Sequence, residues 1–203
     1  MRRTELVRAL AKVPLPLSPR ADLEQVATPP EAAAELLFAA VRLDGLEGRT
    51  VVDLGSGTGR LAIGAALLGA RSVVGVEVDP DLVVLARAAA LAAGVAVKFR
   101  NLAASDYNEP TDLIVMNPPF GAQRRHADRA FWDRALELAR RSVHAFALAD
   151  SRTFIARRAV ERGAQVLETQ PVAWELPRTF PHHTRRRVAL AVDRWAIRTE
   201  TLP

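Results

Sequence analysis

Cysteine is absent from this 203-residue chain, which excludes disulfides and thiolate metal sites. There are four histidines, without ligand spacing, so no metal is expected. Lysine is almost missing too: Lys12 and Lys98 are the only two, and nearly all of the 28 basic residues are arginine. That bias fits bidentate phosphate recognition and fits a GC-rich or thermophilic genome equally well. Long hydrophobic runs are also lacking. The longest uncharged apolar stretches, such as Leu61 to Ala70, are too short to span a bilayer, and Glu5, Arg8 and Lys12 interrupt any signal-like run near the amino terminus. A soluble, cytoplasmic protein without membrane association is therefore expected. What remains is ordinary globular composition, 49% hydrophobic and 25% charged, in a length that suits one domain with a sizeable core. The net charge of +5 favours a polyanionic partner.

Apolar runs alternate with helix-period segments from Arg49 to Asp150, the rhythm of repeated β-α-β units. Strands are predicted at 50–54, 73–77, 95–99, 112–116 and 143–149, with helices at 60–68, 80–92, 128–140 and 151–162. Two longer strand-like segments, 164–176 and 187–197, predict an antiparallel pair at the end of the sheet. Before the first strand lie a helix near 4–12, a proline-rich link and a helix from Pro29 to Val41. Thr28-Pro29-Pro30-Glu31 matches a capping box with proline in the first turn. Trp132, Trp174, Trp195 and Phe131 fall on helical or strand periods and are assigned to the core.

Two motifs carry chemistry. Val51-Val52-Asp53-Leu54 runs into Gly55-Ser56-Gly57-Thr58-Gly59 and then an apolar helix. Gly55 and Gly57 let the backbone turn tightly and approach a ligand, while Gly59 lets the helix start beside the strand. Eighteen residues on, the next apolar run ends in Glu77, a carboxylate suited to a ribose diol. Asp79-Pro80 behind it reads as a helix cap with a first-turn proline. The second motif is Asn117-Pro118-Pro119-Phe120, set behind the run Leu113 to Met116. Its prolines stiffen the turn, so the Asn117 side-chain oxygen and the Pro118 carbonyl can converge on one amino group while Phe120 lies against the flat system that bears it.

With these residues the chain resembles the class I S-adenosylmethionine-dependent methyltransferases, and within them the rRNA adenine-N6 group called methyltransferase-like five with its archaeal relatives. The resemblance spans nearly the whole length. It rests on Leu23-Glu24-Gln25 with Thr28-Pro29-Pro30, Asp53 to Gly59, Asn117 to Gly121, Ala130-Phe131 with Ala135-Leu136-Glu137, and Leu176-Pro177 through a basic loop to Val188. It implies a Rossmann-like α/β fold with a mostly parallel seven-stranded sheet and an antiparallel carboxyl-terminal strand. It further implies one methyltransferase domain over 1–203, with a helical cap at 1–42 on a catalytic core at 43–203. The cofactor would be S-adenosylmethionine. Asp53 and the three glycines belong to its binding turn, Gln25 and Thr28 close over it, Gly55, Thr58 and Arg60 border its methionine half, and Glu77 holds its ribose. Where the family has an acidic residue for the adenine amino group, this chain has Asn101, followed by Leu102, and Asp106 is a rival for that contact.

The implied reaction methylates the N6 amino group of an unpaired adenosine, in small-subunit rRNA, with Asn117, Pro118, Pro119 and Phe120 as the catalytic turn. A stacked adenine cannot enter such a site and must be flipped out or already unpaired. Arg124, Arg125 and His126 after that turn, and Phe180, His182, His183, Arg185, Arg186 and Arg187 in the late loop, offer cations and rings to RNA. A small zinc-binding activator subunit that extends the sheet edge is a further implied partner. Guanine-N2 methylation of rRNA, glutamine methylation of a protein, and an inactive RNA-binding module stay open as alternatives.

Overall fold

Apolar runs bounded by glycine, proline and capping residues become one layered α/β structure in the computed structural model, which describes residues 1–16, 19–120, 127–176 and 188–200. The chain starts with α1 (Arg3–Leu10) and α2 (Pro30–Asp44), then enters β1 (Thr50–Leu54), α3 (Arg60–Leu67), β2 (Ser72–Glu77), α4 (Pro80–Ala92) and β3 (Lys98–Asn101). It continues through β4 (Thr111–Met116), α5 (Ala127–Leu138), β5 (Ala139–Leu148), α6 (Arg152–Glu161) and β6 (Gln165–Val172). It closes with β7 (Glu175–Leu176), β8 (Val188–Ala189) and β9 (Val192–Arg198). Seven strands form one sheet in the order β3-β2-β1-β4-β5-β9-β6, and β7 pairs with β8 alone. β1 lies parallel to β2 and β4, β2 to β3, and β4 to β5, whereas β9 runs antiparallel to both β5 and β6. This is the Rossmann-like sheet with an antiparallel carboxyl-terminal strand that the sequence predicts. Among the described residues no helix is long and apolar enough to cross a membrane.

Both faces of the parallel strands are covered, which is why they read as unbroken apolar runs. Val51, Leu113 and Val115 point to a core shared with Leu6, Leu10, Leu36, Leu37 and Ile63. Their neighbours Val52, Leu54, Ile114 and Met116 point to a second core with Trp132, Leu136 and Ile155. Trp132 is fully buried and meets Trp195 edge-on at 6.3 Å. The tryptophan assignments to the core hold, with Trp174 also buried.

Several boundaries move for identifiable reasons. β3 starts at Lys98 rather than 95, because Gly94 takes a left-handed conformation and the Val95 N–H closes the end of α4 on the Ala90 carbonyl at 3.1 Å. α5 stops at Leu138 and passes straight into β5, where Ala139 pairs with Thr111 of β4; sheet pairing overrides the helix preference of Ala-Arg-Arg. The two late segments each break, leaving β7 and β8 as a separate ribbon. Pro171 is accommodated because β6 is an edge strand. Thr28 does not cap α2, which begins at Pro30 without a side-chain cap; its hydroxyl is engaged elsewhere. Asp79, by contrast, caps α4 by accepting from the Asp81 N–H at 3.0 Å.

Trp132→Ala is expected to lower unfolding stability by about 3–5 kcal/mol, since it empties the centre of the second core. Denaturant unfolding checks this, and a loss below about 1 kcal/mol would show that the α5 side of the sheet contributes little.

Candidate functional site

The strand order reverses between β1 and β4, so the carboxyl ends of β1, β2 and β4 open into a crevice rather than under a connection. A cavity of about 560 Å³ sits there, within the range that takes a small-molecule ligand. Its lining joins the glycine turn after β1, Glu77 ending β2, the Asn117 turn after β4, and the segment from Asp22 to Thr28. Of the residues picked from sequence, Gln25, Thr28, Asp53, Gly55, Gly57, Thr58, Arg60, Glu77, Leu102, Asn117, Pro118, Pro119 and Phe120 all line it.

The glycine turn is shaped by close approach. Gly55 has φ of 73°, and a Cβ there would stand 2.9 Å from the Phe131 ring. Gly59 caps α3 with φ of 88°, and its Cβ would stand 2.8 Å from Phe99. It therefore sets how α3 meets the sheet and does not line the cavity. Phe131, assigned to the core from its spacing, packs against the second core and also forms part of the cavity wall against Gly55.

Two carboxylates face one another across this turn. Glu77 accepts from the Gly57 N–H at 2.8 Å and the Asp79 N–H at 2.9 Å. Burial raises its pKa, and those backbone donors offset part of the rise. Asp53 accepts from the Ala62 N–H at 2.9 Å through Oδ2, while Oδ1 is buried with no hydrogen-bond partner. Burial pushes Asp53 up to about 8, with the Glu77 charge adding to the rise and the Ala62 bond opposing it. Among the described residues, no cation acts on it. The Ser56 hydroxyl, beside it in the turn, is likewise buried and unpartnered.

The amino-terminal segment forms the opposite wall. Gln25 donates to Asp79 Oδ2 at 2.7 Å and accepts from the Arg20 N–H at 2.8 Å, linking this segment to the end of β2. Arg60 is buried, and its guanidinium donates to the carbonyls of Leu10, Val13 and Thr28. Asn117 donates through Nδ2 to Thr28 Oγ1 at 3.0 Å and to the Val26 carbonyl at 3.3 Å. Since a carbonyl only accepts, these contacts fix which end of the carboxamide is nitrogen. Its Oδ1 is left buried and without a donor. Phe120 is propped edge-on against Trp174 at 5.8 Å, and Trp174 against Phe146 at 4.9 Å.

Asn101, like Gly59, is a predicted site residue that does not line the cavity. Its side chain donates to the carbonyls of Glu77 and Val78 at 3.1 and 2.9 Å, tying the end of β3 to β2, and it is absent from the lining. Asp106 is absent as well; Leu102, Ala103, Ala104 and Ser105 occupy that wall. The segments holding Arg124, Arg125 and His126, and Phe180, His182, His183 and Arg185 to Arg187, lie outside the described residues.

A switch-point cavity with a glycine turn, two buried carboxylates and an orphaned carboxamide oxygen is the site of a group-transfer enzyme with a nucleotide-like cofactor. The comparisons agree. Residues 28–147 match the family model described as methyltransferase small domain. The rRNA N(6)-adenosine-methyltransferase Mettl5 of Drosophila melanogaster is 31% identical over 87% of this chain and 87% of its own. An uncharacterized protein of Methanocaldococcus jannaschii is 33% identical over 86% of this chain and 84% of its own. The crystal structure of a candidate RNA methyltransferase from Pyrococcus horikoshii superposes with a TM-score of 0.89 at 37% identity, covering 98% of this chain and 97% of that one. The chain belongs to the methyltransferase small domain family, and it is an S-adenosylmethionine-dependent N-methyltransferase.

Asp53 gives the site a pH signature. Its folded pKa lies above the usual 3.8, so the stability it contributes is full below about pH 4 and is lost as pH rises through about 8. In the ligand-free protein, Asp53→Asn is expected to flatten the fall in melting temperature between those limits. Parallel curves for the two proteins would mean that the Asp53 pKa is the same in the folded and unfolded protein.

Proposed function

We propose that this chain methylates the N6 amino group of an unpaired adenosine in small-subunit rRNA. The observation that carries this reading is the Asn117 carboxamide, whose nitrogen is committed to Thr28 and Val26 while its buried oxygen has no donor. A buried acceptor without a donor is costly, and an amino group of the substrate would satisfy it. The naming of the Drosophila relative as an rRNA N(6)-adenosine-methyltransferase supports adenosine as the acceptor, with rRNA as its source.

The cavity fits the cofactor by chemistry. A ligand bearing positive charge and ribose hydroxyls suits Asp53 Oδ1 and Ser56 Oγ, both unpartnered, and Glu77, whose two oxygens keep further lone pairs. The glycine turn lets that ligand approach the backbone, while Gln25, Thr28, Thr58 and Leu102 enclose it. Leu102 and the following backbone bound the adenine end, and Asn101 takes no part in our assignment because it does not line the cavity. When bound, S-adenosylmethionine supplies an electrophilic methyl group on a positively charged sulfur.

The remaining work belongs to the protein. An aromatic amine is a poor nucleophile because its lone pair is delocalised into the ring. Hydrogen bonds from that amine to Asn117 Oδ1 and the Pro118 carbonyl favour the nitrogen as it becomes tetrahedral and positive. Phe120, backed by Trp174, stacks on the base and fixes its plane. No separate base is needed before attack, and much of the rate comes from alignment.

The same reading takes residues 1–203 as one domain acting in the cytoplasm, with the cap of 1–42 locked to the core of 43–203 through Arg60. RNA is met by the basic segments around Arg124 and Arg185. A small zinc-binding activator would extend the sheet at an edge, and β3 and β6 are the strands that end it.

Incubating the protein with labelled cofactor, total RNA and total protein should place the label in N6-methyladenosine of small-subunit rRNA, read by nucleoside mass spectrometry. Label in N2-methylguanosine or in methylglutamine would overturn the assignment. Asn117→Ala is expected to lower methyl transfer at least about 10²-fold while S-adenosylhomocysteine still binds. Retained activity in that variant would remove Asn117 from the chemistry.

A further inference from the structure

We propose that Thr28 is the positioning residue for the Asn117 carboxamide, holding its nitrogen so that its oxygen is presented to the substrate amine, with Arg60 locking Thr28 in place from behind. This rests on the reading of Asn117 as the acceptor of that amine. It assigns Thr28 and Arg60 a duty separate from enclosing the cofactor.

A carboxamide turned by half a rotation has almost the same shape, but it offers an NH2 where an oxygen is needed. In this site the reversed form would set one amino group against another. Pro118 and Pro119 stiffen the backbone after Asn117 but cannot choose between the two ends of its side chain. The choice falls to the groups that meet Nδ2. The Val26 carbonyl dictates the sense because it only accepts, yet at 3.3 Å it is a long contact. The Thr28 hydroxyl, at 3.0 Å, is the nearer partner and fixes where the amide plane lies.

Both partners lie on an irregular segment between the short turn at Ala21–Leu23 and α2, so they need an anchor of their own. Arg60 supplies it. Its guanidinium is buried beneath that segment, and all three nitrogens are engaged, on the carbonyls of Leu10, Val13 and Thr28. The Thr28 residue is thereby gripped at its carbonyl by α3 and at its hydroxyl by the end of β4. Thr28 lies one residue before the Pro29 cap position of α2, which leaves its hydroxyl to serve Asn117.

Thr28→Val keeps the shape and deletes the acceptor, Thr28→Ser restores it, and Thr28→Ala provides a second deletion should valine disturb folding. The acceptor probe is total RNA, assayed at saturating S-adenosylmethionine, with S-adenosylhomocysteine affinity measured by calorimetry. Both deletions should slow methyl incorporation by about 10- to 100-fold. In Thr28→Val, which keeps the shape that encloses the cofactor, cofactor-product affinity should stay within about threefold, well under the 1.4 kcal/mol of a tenfold step, and in Thr28→Ala it should fall by less than the rate does. Serine should recover most of the rate. In protein labelled with ¹⁵N-asparagine, the Asn117 side-chain NH2 resonances, identified by their loss in Asn117→Ala, should move in the deletions and return with serine. An unchanged rate, a loss confined to cofactor affinity, or NH2 signals that do not move would overturn the proposal. An active Asn117→Ala variant overturns the underlying reading instead, whereas an inactive one beside an active Thr28→Val overturns the positioning role alone.

Discussion

The structure depends on one constraint: the Asn117 carboxamide is held by its nitrogen and left unsatisfied at its oxygen. That arrangement requires three distant parts of the chain to agree. β4 must end at Met116 so that Asn117 emerges at the switch point, the amino-terminal segment must bring Val26 and Thr28 across, and α3 must offer Arg60 to fix that segment. The core on each face of the sheet serves this convergence by setting the depth at which the strand ends stop. An unsatisfied buried acceptor is tolerated because the surrounding contacts hold the turn, and it is the kind of local cost found where a ligand completes the bonding.

The cofactor side of the cavity shows the same economy in charge. Asp53 and Glu77 sit close enough for one to raise the pKa of the other, and among the described residues no cation offsets this at Asp53. Such a pair disfavours the ionised, empty site and favours a ligand that brings positive charge. The hydrogen-bonded path Gln25 to Asp79 to Glu77 to Gly57 then couples the wall over the cavity to the floor of the glycine turn. The carboxylates and the amino-terminal wall thus share one set of bonds.

Much of this was legible in the sequence, and the failures have local causes. The glycine turn, Glu77 and the Asn117 tetrapeptide could be read because each is dictated by backbone geometry or by an obligatory hydrogen-bond pattern. Thr28 was legible as a residue of the cavity but not as a partner of Asn117: Thr28-Pro29-Pro30-Glu31 satisfies a capping rule on its own, and only the fold reveals that Asn117, 89 residues away, takes the hydroxyl. Arg60, placed beside the cofactor by resemblance, does line the cavity, but nothing local announces that its guanidinium would hold three carbonyls from another part of the chain. Asn101, assigned to the adenine amino group by resemblance, stands at the end of β3, where its Nδ2 finds the carbonyls of Glu77 and Val78 next door, and it does not line the cavity. Phe131 has the spacing of a core residue, and the absence of a side chain at Gly55 is what draws it to the cavity.

The most direct measurement is a crystal structure of the protein with S-adenosylhomocysteine and an adenosine-containing RNA fragment. Asn117 Nδ2 should remain on Thr28 and Val26, with Oδ1 within hydrogen-bond distance, about 3 Å, of the adenine N6 and that nitrogen facing the cofactor sulfur. An Asn117 side chain turned so that Oδ1 bonds to the protein, or an adenine amine held by other groups, would contradict the central claim.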